Sequence, residues 1–208
     1  MPRFADFTVA QFLDALASPD PTPGGGTAAA VVGAVGVSLL SMVSGLAKTR
    51  HQTEAEAQAL AAARTALGGI RERLVTLADT DTEAFNQVMA AYRLPKTTDE
   101  EKGARKAAVQ RALGAATDAP LETLRAAADA VAQARTVAES GNRSAESDVR
   151  VAIELLEAAA ASAAANVEIN LGGLTDEAYR KATAAQTLEI ANRVTEDAAS
   201  ARAALAGT

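Results

Sequence analysis

The chain has 208 residues and a formal net charge of −6, and alanine makes up about a quarter of it. It contains no cysteine and one histidine, His51, which excludes disulfides, thiolate metal sites and histidine-rich metal centres. The negative charge argues against a general nucleic-acid-binding protein, because neutralising phosphates requires a basic surface. Alanine is the strongest helix former and buries little area, so the composition favours closely packed helices that associate across subunits.

The first predicted helix spans about Thr8 to Ala17, within "MPRFADFTVAQFLDALA". This segment is amphipathic and carries acids, which excludes a signal peptide, so we expect a cytoplasmic protein.

A loop rich in proline and glycine, "SPDPTPGGGTAAA", follows the first helix. Glycine costs about 0.5–1 kcal/mol relative to alanine in regular structure, so three in a row indicate a need for bare backbone. A glycine-rich loop before a helix exposes N–H groups at the positive end of the helix dipole. We interpret Pro23, Gly24, Gly25 and Gly26 as contacting a ligand, with a tight turn between two helices as the alternative. The loop lacks the Gly-Lys-Ser/Thr ending of a P-loop.

The second predicted helix runs from about Thr27 to Lys48. Residues 27–47 carry no charge over 21 positions, which is long enough to cross a membrane. The segment is rich in Ala, Gly and Ser, however, so its insertion into lipid is weakly favoured. A helix that is apolar all round is also typical of the centre of a bundle, and we favour that interpretation.

The third predicted helix covers about Thr53 to Tyr92, and its apolar residues recur every seven positions. Asp81 falls where this stripe predicts a leucine: Leu60, Leu67, Leu74, position 81 and Val88. A charge in a core must be paired or hydrogen-bonded, because desolvation costs several kcal/mol. Alternatively, Asp79 and Asp81 begin a new helix, since Asp and Thr are good N-caps.

Four further helices complete the predicted all-α fold, a bundle of long alanine-rich helices in one domain over residues 1–208. Thr98 or Asp99 caps one helix, and Pro120 opens another at its favoured first position. Gly141 and Asn142 are predicted to end that helix in the left-handed region. The next begins at Ser144 or Ser147 and ends near Asn170, and Thr175 caps the last.

Two polar groups lie at the two ends of the predicted helix that begins at Ser144 or Ser147. Asn142 and Asp148 lie in "GNRSAESD", whereas Asn166 and Asn170 lie in "NVEIN". Asp148 and Asn166 are 18 residues apart, so they share a helix face but are separated by about 27 Å. They therefore serve different sites or are brought together by packed subunits; hydrogen bonding to a neighbouring loop or helix end is the alternative for both asparagines.

The chain resembles the formiminotetrahydrofolate cyclodeaminase / methenyltetrahydrofolate cyclohydrolase family. The resemblance rests on four segments in the family order: "FLDALASPDPTPGGGTAAA", "DTDTEAFNQVMAAYRLPKTTDEEKGARKAAVQRA", "GNRSAESDV" and "NVEINLGGLTDEAY". It implies a helical homodimer or higher oligomer whose substrate is a one-carbon-loaded tetrahydrofolate, with no metal or organic cofactor. It favours methenyltetrahydrofolate cyclohydrolase over ammonia-releasing cyclodeaminase. An alanine-rich, non-catalytic scaffold is the alternative from another class.

The implied chemistry assigns roles to the candidate residues. A carboxylate stabilises the cationic carbon and accepts a proton from water, and the candidates in order are Asp81, Asp148 and Asp79. Asn142, Asn166 and Asn170 are expected to orient water or the pterin, and Gly24 to Gly26 to lie against its flat ring. Lys48 and Arg50 are expected to meet the glutamate tail; ordinary helix-end cations are the alternative.

Overall fold

A computed structural model describes residues 3–47 and 52–206. Within these ranges the chain forms helices and no strand, which confirms the predicted all-α fold. The α-helices are α1 (Val9–Ala17), α2 (Gly25–Gly45), α3 (Glu54–Tyr92), α4 (Asp99–Ser140), α5 (Glu146–Leu171) and α6 (Glu177–Ala206). Two single-turn 3-10 helices, Phe4–Asp6 and Arg143–Ala145, precede α1 and α5.

Helices α2 to α5 form a four-helix bundle in which each helix packs on the next and α5 closes back onto α2. Position 33 shows why small residues are needed there: a Cβ on Gly33 would meet Leu74 of α3 at 3.3 Å and Ala159 of α5 at 3.4 Å. Helix α6 packs outside the bundle along α4 and α5. Helix α2 therefore has neighbours on two flanks and leaves one face uncovered.

Threonine capping boxes set three of the helix starts. Thr8, Thr53 and Thr98 each accept a hydrogen bond from the backbone N–H three residues later, whose side chain accepts in return from the threonine N–H. This reciprocal arrangement satisfies two of the N–H groups that a helix start leaves unpaired. It explains why the sequence located the starts of α1, α3 and α4 to within a residue.

Pro120 does not open a helix, because α4 continues through it from Asp99 to Ser140. Proline cannot donate the usual hydrogen bond to the carbonyl four residues earlier, here that of Ala116. Asn170 of α5 replaces the missing donor, since its Nδ2 donates to the Ala116 carbonyl oxygen at 2.6 Å. The prediction was wrong because the compensating amide comes from a helix that is distant in sequence.

Four other local predictions also need correction. Asp79 and Asp81 lie inside the uninterrupted helix α3 and do not begin a new one. Gly141 and Asn142 have φ values of −77° and −75°, so neither is left-handed.

Ser144 and Ser147 do not cap α5, which follows Ala145 without a side-chain cap. At the start of α6, the Asp176 side chain accepts from the Tyr179 N–H, and Thr175 instead bonds Gln110 of α4.

Helix α2 is long and apolar enough to cross a membrane by length and composition, but 56% of its most apolar window is buried in the protein. Its fully buried side chains include Val37, Leu40 and Val43. Core helices pass the same length and hydropathy test. The packing favours the interpretation of α2 as a core helix over a membrane span, although α2 is one of four bundle helices and one of its faces is uncovered.

Candidate functional site

The first turn of α2 meets the middle of α3 at Asp81. Thr27 is fully buried and its hydroxyl lies 3.0 Å from Asp81 Oδ2, 3.1 Å from Thr82 Oγ1 and 3.3 Å from the Ala78 carbonyl oxygen. A backbone hydrogen bond from Thr27 also reaches the Asp81 carboxylate. The carboxylate therefore sits at the positive end of α2, where negative charge is stabilised.

Gly26 provides the space that this carboxylate occupies. A Cβ at position 26 would lie 2.6 Å from Asp81 Cγ and 2.8 Å from its Oδ2, closer than real contacts allow. At Gly25 a Cβ would meet only Asn166 Nδ2, at 3.8 Å, which is ordinary contact. The glycine run was predicted to admit a ligand; within the chain, the group that Gly26 admits is the Asp81 carboxylate.

The environment of Asp81 favours its protonated form. Burial raises the pKa of this carboxyl above its ordinary value of 3.8, and the hydrogen bonds from the Thr27 side chain and backbone oppose the shift. Asp81 as a residue is half-buried. A carboxyl group with a raised pKa holds its proton more readily than an exposed aspartate and is suited to general acid–base chemistry.

Asn166 and Asn170 lie at the same end of the bundle as Asp81. Asn166 Nδ2 donates to the Ser162 carbonyl oxygen of its own helix at 2.8 Å and lies beside Gly25. Asn170 Nδ2 donates to the Ala116 carbonyl oxygen, which has no backbone donor because residue 120 is proline. One N–H of each side-chain amide is therefore bonded to the protein. The second N–H and the oxygen of each amide remain available to a ligand.

A cavity of about 600 Å³ opens on the other side of the same helix start. Its lining includes Phe4 and Phe7 from the N-terminal segment, Thr22 and Pro23 from the loop, and four side chains of α3, namely Asp79, Thr82, Glu83 and Asn86. Both oxygens of Asp79 are engaged: Oδ1 accepts from the Phe4 N–H at 2.8 Å and Oδ2 lies 3.4 Å from Arg3 Nε. Asp79 therefore fastens the N-terminal segment to α3.

The remaining predicted site residues lie elsewhere. Asn142 Nδ2 donates to the Ala47 carbonyl oxygen at 2.6 Å, beyond the far end of α2, and Asp148 lies in the first turn of α5 at that same end. One chain therefore does not bring Asn142 or Asp148 to Asp81. Lys48, Arg50 and His51 lie outside the described residues. Within residues 3–47 and 52–206, no three His, Asp or Glu side chains lie close enough to hold a metal ion.

The sequence analysis missed several residues around Asp81. Thr27 and Thr82 carry no sequence signal, because a buried threonine hydroxyl is recognised only once its partners are known. The phenylalanines near the N-terminus did carry a sequence signal. The whole chain has four phenylalanines and two tyrosines, and three of these six aromatic residues fall at positions 4, 7 and 12.

Comparisons with known proteins identify the family of the chain. Residues 8–189 match the profile of the formiminotransferase-cyclodeaminase family. The chain is 46% identical over 173 residues to a methenyltetrahydrofolate cyclohydrolase of Methylorubrum extorquens, covering 83% of each chain. It is 31% identical over 187 residues to the formimidoyltransferase-cyclodeaminase of Gallus gallus, covering 90% of this chain and 34% of that protein.

A solved structure extends the similarity to almost every residue. The crystal structure of a formiminotetrahydrofolate cyclodeaminase from Thermotoga maritima superposes with a TM-score of 0.87 at 29% identity, covering 98% of both chains. Because the family profile spans most of the sequence, the chain belongs to the formiminotransferase-cyclodeaminase family.

Proposed function

We propose that this protein is a methenyltetrahydrofolate cyclohydrolase that converts 5,10-methenyltetrahydrofolate into 10-formyltetrahydrofolate. The observation that carries the proposal is the 46% identity, over 83% of both chains, to a protein of that name. The placement of Asp81 supports it, because a carboxyl group with a raised pKa suits proton transfer during the attack of water on a cationic carbon.

Asp81 supplies the proton transfers in the proposed mechanism. Water adds to the carbon that bridges N5 and N10, and the Asp81 carboxylate accepts one of its protons. The neutral adduct then loses its hydroxyl proton to solvent as the C–N5 bond breaks, and Asp81 returns its proton to N5. The products are 10-formyltetrahydrofolate and one released proton, so atoms and charge balance.

Turnover of 5,10-methenyltetrahydrofolate tests this proposal. Purified protein should remove the near-ultraviolet band of the substrate faster than a buffer blank, with 10-formyltetrahydrofolate as the product. Asp81→Asn keeps the size of the side chain and should lower kcat by about 10²- to 10⁴-fold, the usual contribution of a general base. The kcat values of Asp79→Asn and Asp148→Asn measure how much each of the other two candidate carboxylates contributes to turnover. No acceleration by the wild-type protein would overturn the proposal.

The cyclodeaminase reaction is the second candidate, and the superposition with the Thermotoga maritima enzyme favours it. It forms the same bridged carbon by expelling ammonia, for which Asp81 would act as the general acid. Release of ammonia from 5-formiminotetrahydrofolate, without hydrolysis of the methenyl compound, would select this reaction. Inactivity towards both substrates would favour the scaffold alternative.

We propose further that the protein is a homodimer that pairs through α2 and α5. Both helices carry an uncharged stripe of exposed or half-exposed residues at heptad spacing: Ala28, Val32, Val35, Leu39 and Met42 on α2, continued by Leu46 just after it, and Val151, Leu155, Ala158, Ser162, Ala165 and Ile169 on α5. The stripes are neighbours, because Gly36 lies against Leu155. Val35, Met42, Val151 and Ile169 are 49%, 43%, 49% and 75% exposed, an apolar patch typical of an interface.

A two-fold axis perpendicular to α2 would make this pairing antiparallel. The end of one chain that carries Asn142 and Asp148 would then lie beside the Asp81 end of its partner. The double variant Met42→Glu, Val151→Glu should be monomeric by sedimentation velocity. A helical monomer with unchanged activity would contradict a site shared between two chains, and a dimeric variant would contradict this interface.

The burial of α2 also supports a location in the cytoplasm. After cell lysis the protein should remain in the supernatant of a high-speed spin. Recovery in the membrane pellet after a salt wash would instead support the membrane-span interpretation.

A further inference from the structure

The cavity beside the first turn of α2 has the size and lining of a binding site for a flat organic ring. Its volume of about 600 Å³ lies within the range of small-molecule sites, roughly 300–1,000 Å³. Phe4 and Phe7 form one wall, with their ring centroids 5.5 Å apart in an edge-to-face arrangement. The chain is otherwise poor in aromatic residues, so this wall is a local concentration and not a general feature of the core.

The aromatic wall is held in place by few contacts. The N-terminal segment has no fully buried residue in Phe4–Asp6 or in α1, and Val9 and Leu13 are 78% and 57% exposed. The Phe4 N–H and the Arg3 side chain donate to the Asp79 carboxylate and so fasten the N-terminal segment to α3. Asp79 is therefore a positioning residue whose two oxygens are already engaged.

Glu83 is the other carboxylate on the cavity wall. It lies one helical turn beyond Asp79 on α3, and no hydrogen bond or ion pair joins its side chain to the described residues. An unpaired carboxylate on the wall of an otherwise largely apolar cavity accepts hydrogen bonds from a ligand that presents adjacent N–H donors. The 2-amino-4-oxo edge of a pteridine presents such a pair, at its ring N–H and its amino group.

The cavity is also connected to Asp81. Thr82 lines the cavity, and its hydroxyl contacts the Thr27 hydroxyl, which contacts the Asp81 carboxylate. A ring bound between the aromatic wall and Glu83 would therefore lie beside the start of α2, separated from the Asp81 carboxylate by the buried hydroxyls of Thr82 and Thr27.

We propose that this cavity is the pteridine subsite, in which Glu83 recognises the 2-amino-4-oxo edge and Phe4 and Phe7 pack against the ring. The proposal rests on the proposed function for the identity of the substrate. Glu83 is then a specificity-determining residue, and the folate of the methenyl substrate enters ring first along the N-terminal segment.

Equilibrium binding of pterin and lumazine, followed by their own fluorescence, tests the subsite without turnover. Lumazine carries an oxo group where pterin carries the 2-amino group, so the wild-type protein should bind pterin about tenfold or more tightly than lumazine. Glu83→Gln should remove this preference, because the glutamine amide can accept from the ring N–H that both compounds carry and can donate to the 2-oxo group of lumazine. Glu72→Gln, an exposed substitution on the same helix, is the matched control and should keep the preference.

Two other variants separate recognition from positioning. Asp79→Ala removes both oxygens that hold the N-terminal segment and should weaken pterin and lumazine binding equally. Phe7→Leu keeps an apolar side chain but removes the ring, and should also weaken both. With the methenyl substrate, Glu83→Gln should raise KM about tenfold or more with little change in kcat.

The outcomes distinguish this proposal from the proposed function. Pterin binding that depends on Glu83, in a protein that hydrolyses no methenyl substrate, would support the subsite and overturn the activity. Hydrolysis with an unchanged KM in Glu83→Gln would support the activity and overturn the subsite. Wild-type protein that binds pterin no better than lumazine, or not at all, would also overturn the subsite.

Discussion

The two ends of helix α2 are held by side chains from distant parts of the chain, but with opposite consequences. At the N-terminal end the Asp81 carboxylate approaches bare glycine backbone and accepts from Thr27. Beyond the C-terminal end the neutral Asn142 amide donates to the Ala47 carbonyl oxygen. The Thr27 N–H is one of the groups that the start of α2 leaves unpaired, whereas Ala47 lies two residues beyond the end of α2. Only the first contact involves a buried titratable group, which is why we assign the chemistry to that end.

Replacing Gly26 by alanine should break the N-terminal arrangement with the largest effect. The new Cβ overlaps the Asp81 carboxyl, so either the side chain or α2 must shift. We expect a loss of about 1–3 kcal/mol in the free energy of unfolding and loss of activity, measured by urea denaturation and substrate turnover.

Gly25→Ala is the matched control, because its Cβ has only an ordinary contact. In an Asp81→Ala background the Gly26→Ala cost should largely disappear. An equal cost in both backgrounds would show that the clash is not with Asp81.

Asn170→Ala should have the next largest effect, at the same end of the bundle. It leaves the Ala116 carbonyl without its donor, which should cost about 1–3 kcal/mol of unfolding free energy. Pro120→Ala restores a backbone donor to that carbonyl, so the cost of Asn170→Ala should shrink in the Pro120→Ala background. A double-mutant cycle by urea denaturation measures this coupling, and strict additivity would contradict it.

A pH series sharpens the contrast between the charged and neutral ends. Because burial raises the pKa of Asp81, the native state binds more protons than the unfolded state as pH rises above 3.8. Stability from this group is therefore present below 3.8 and lost as pH rises through the higher native pKa. Asp81→Asn should gain stability relative to wild type across that window.

Urea denaturation at several pH values between about 4 and 8 measures the difference. Asn142→Ala should show a stability difference from wild type that does not change with pH. A constant difference for Asp81→Asn would contradict the raised pKa.

The smallest effect is expected at Gly69, on α3 away from both ends. A Cβ there meets nothing within 4 Å, so Gly69→Ala should raise the unfolding free energy by about 0.8–1 kcal/mol through helix propensity. Thermal denaturation checks the gain, and activity should stay unchanged. A loss of stability would reveal a constraint on the α3 backbone that the contacts do not show.

Local signals in the sequence located most of the fold. The threonine capping boxes fixed three helix starts, and the heptad stripe of α3 identified both its buried leucines and the misplaced Asp81. The wrong predictions concern features settled by distant residues. Pro120 signals a helix start unless a side chain from elsewhere satisfies Ala116, and nothing near Pro120 reveals Asn170.

The candidate site was predicted in parts and not as a whole. The glycine run and Asp81 were each identified as anomalies, but their separation of more than 50 residues gave no indication that each explains the other. The Asp148 segment was grouped with the site by motif, whereas the fold places it at the opposite end of α2. Such relations depend on how helices pack, which local periodicity does not encode.

The central position of α2 also affects how the chain is made. It is synthesised early, yet Gly36 packs on Leu156, about 120 positions later in the sequence. At about 5–20 residues per second, α2 waits roughly 6–24 s for that partner. During this interval its uncharged surface has only the incomplete chain to cover it. Helix α3 can cover one flank of α2 before then, but the flank that packs on α5 stays open until α5 leaves the ribosome, so the rate of translation between α2 and α5 becomes a determinant of folding yield.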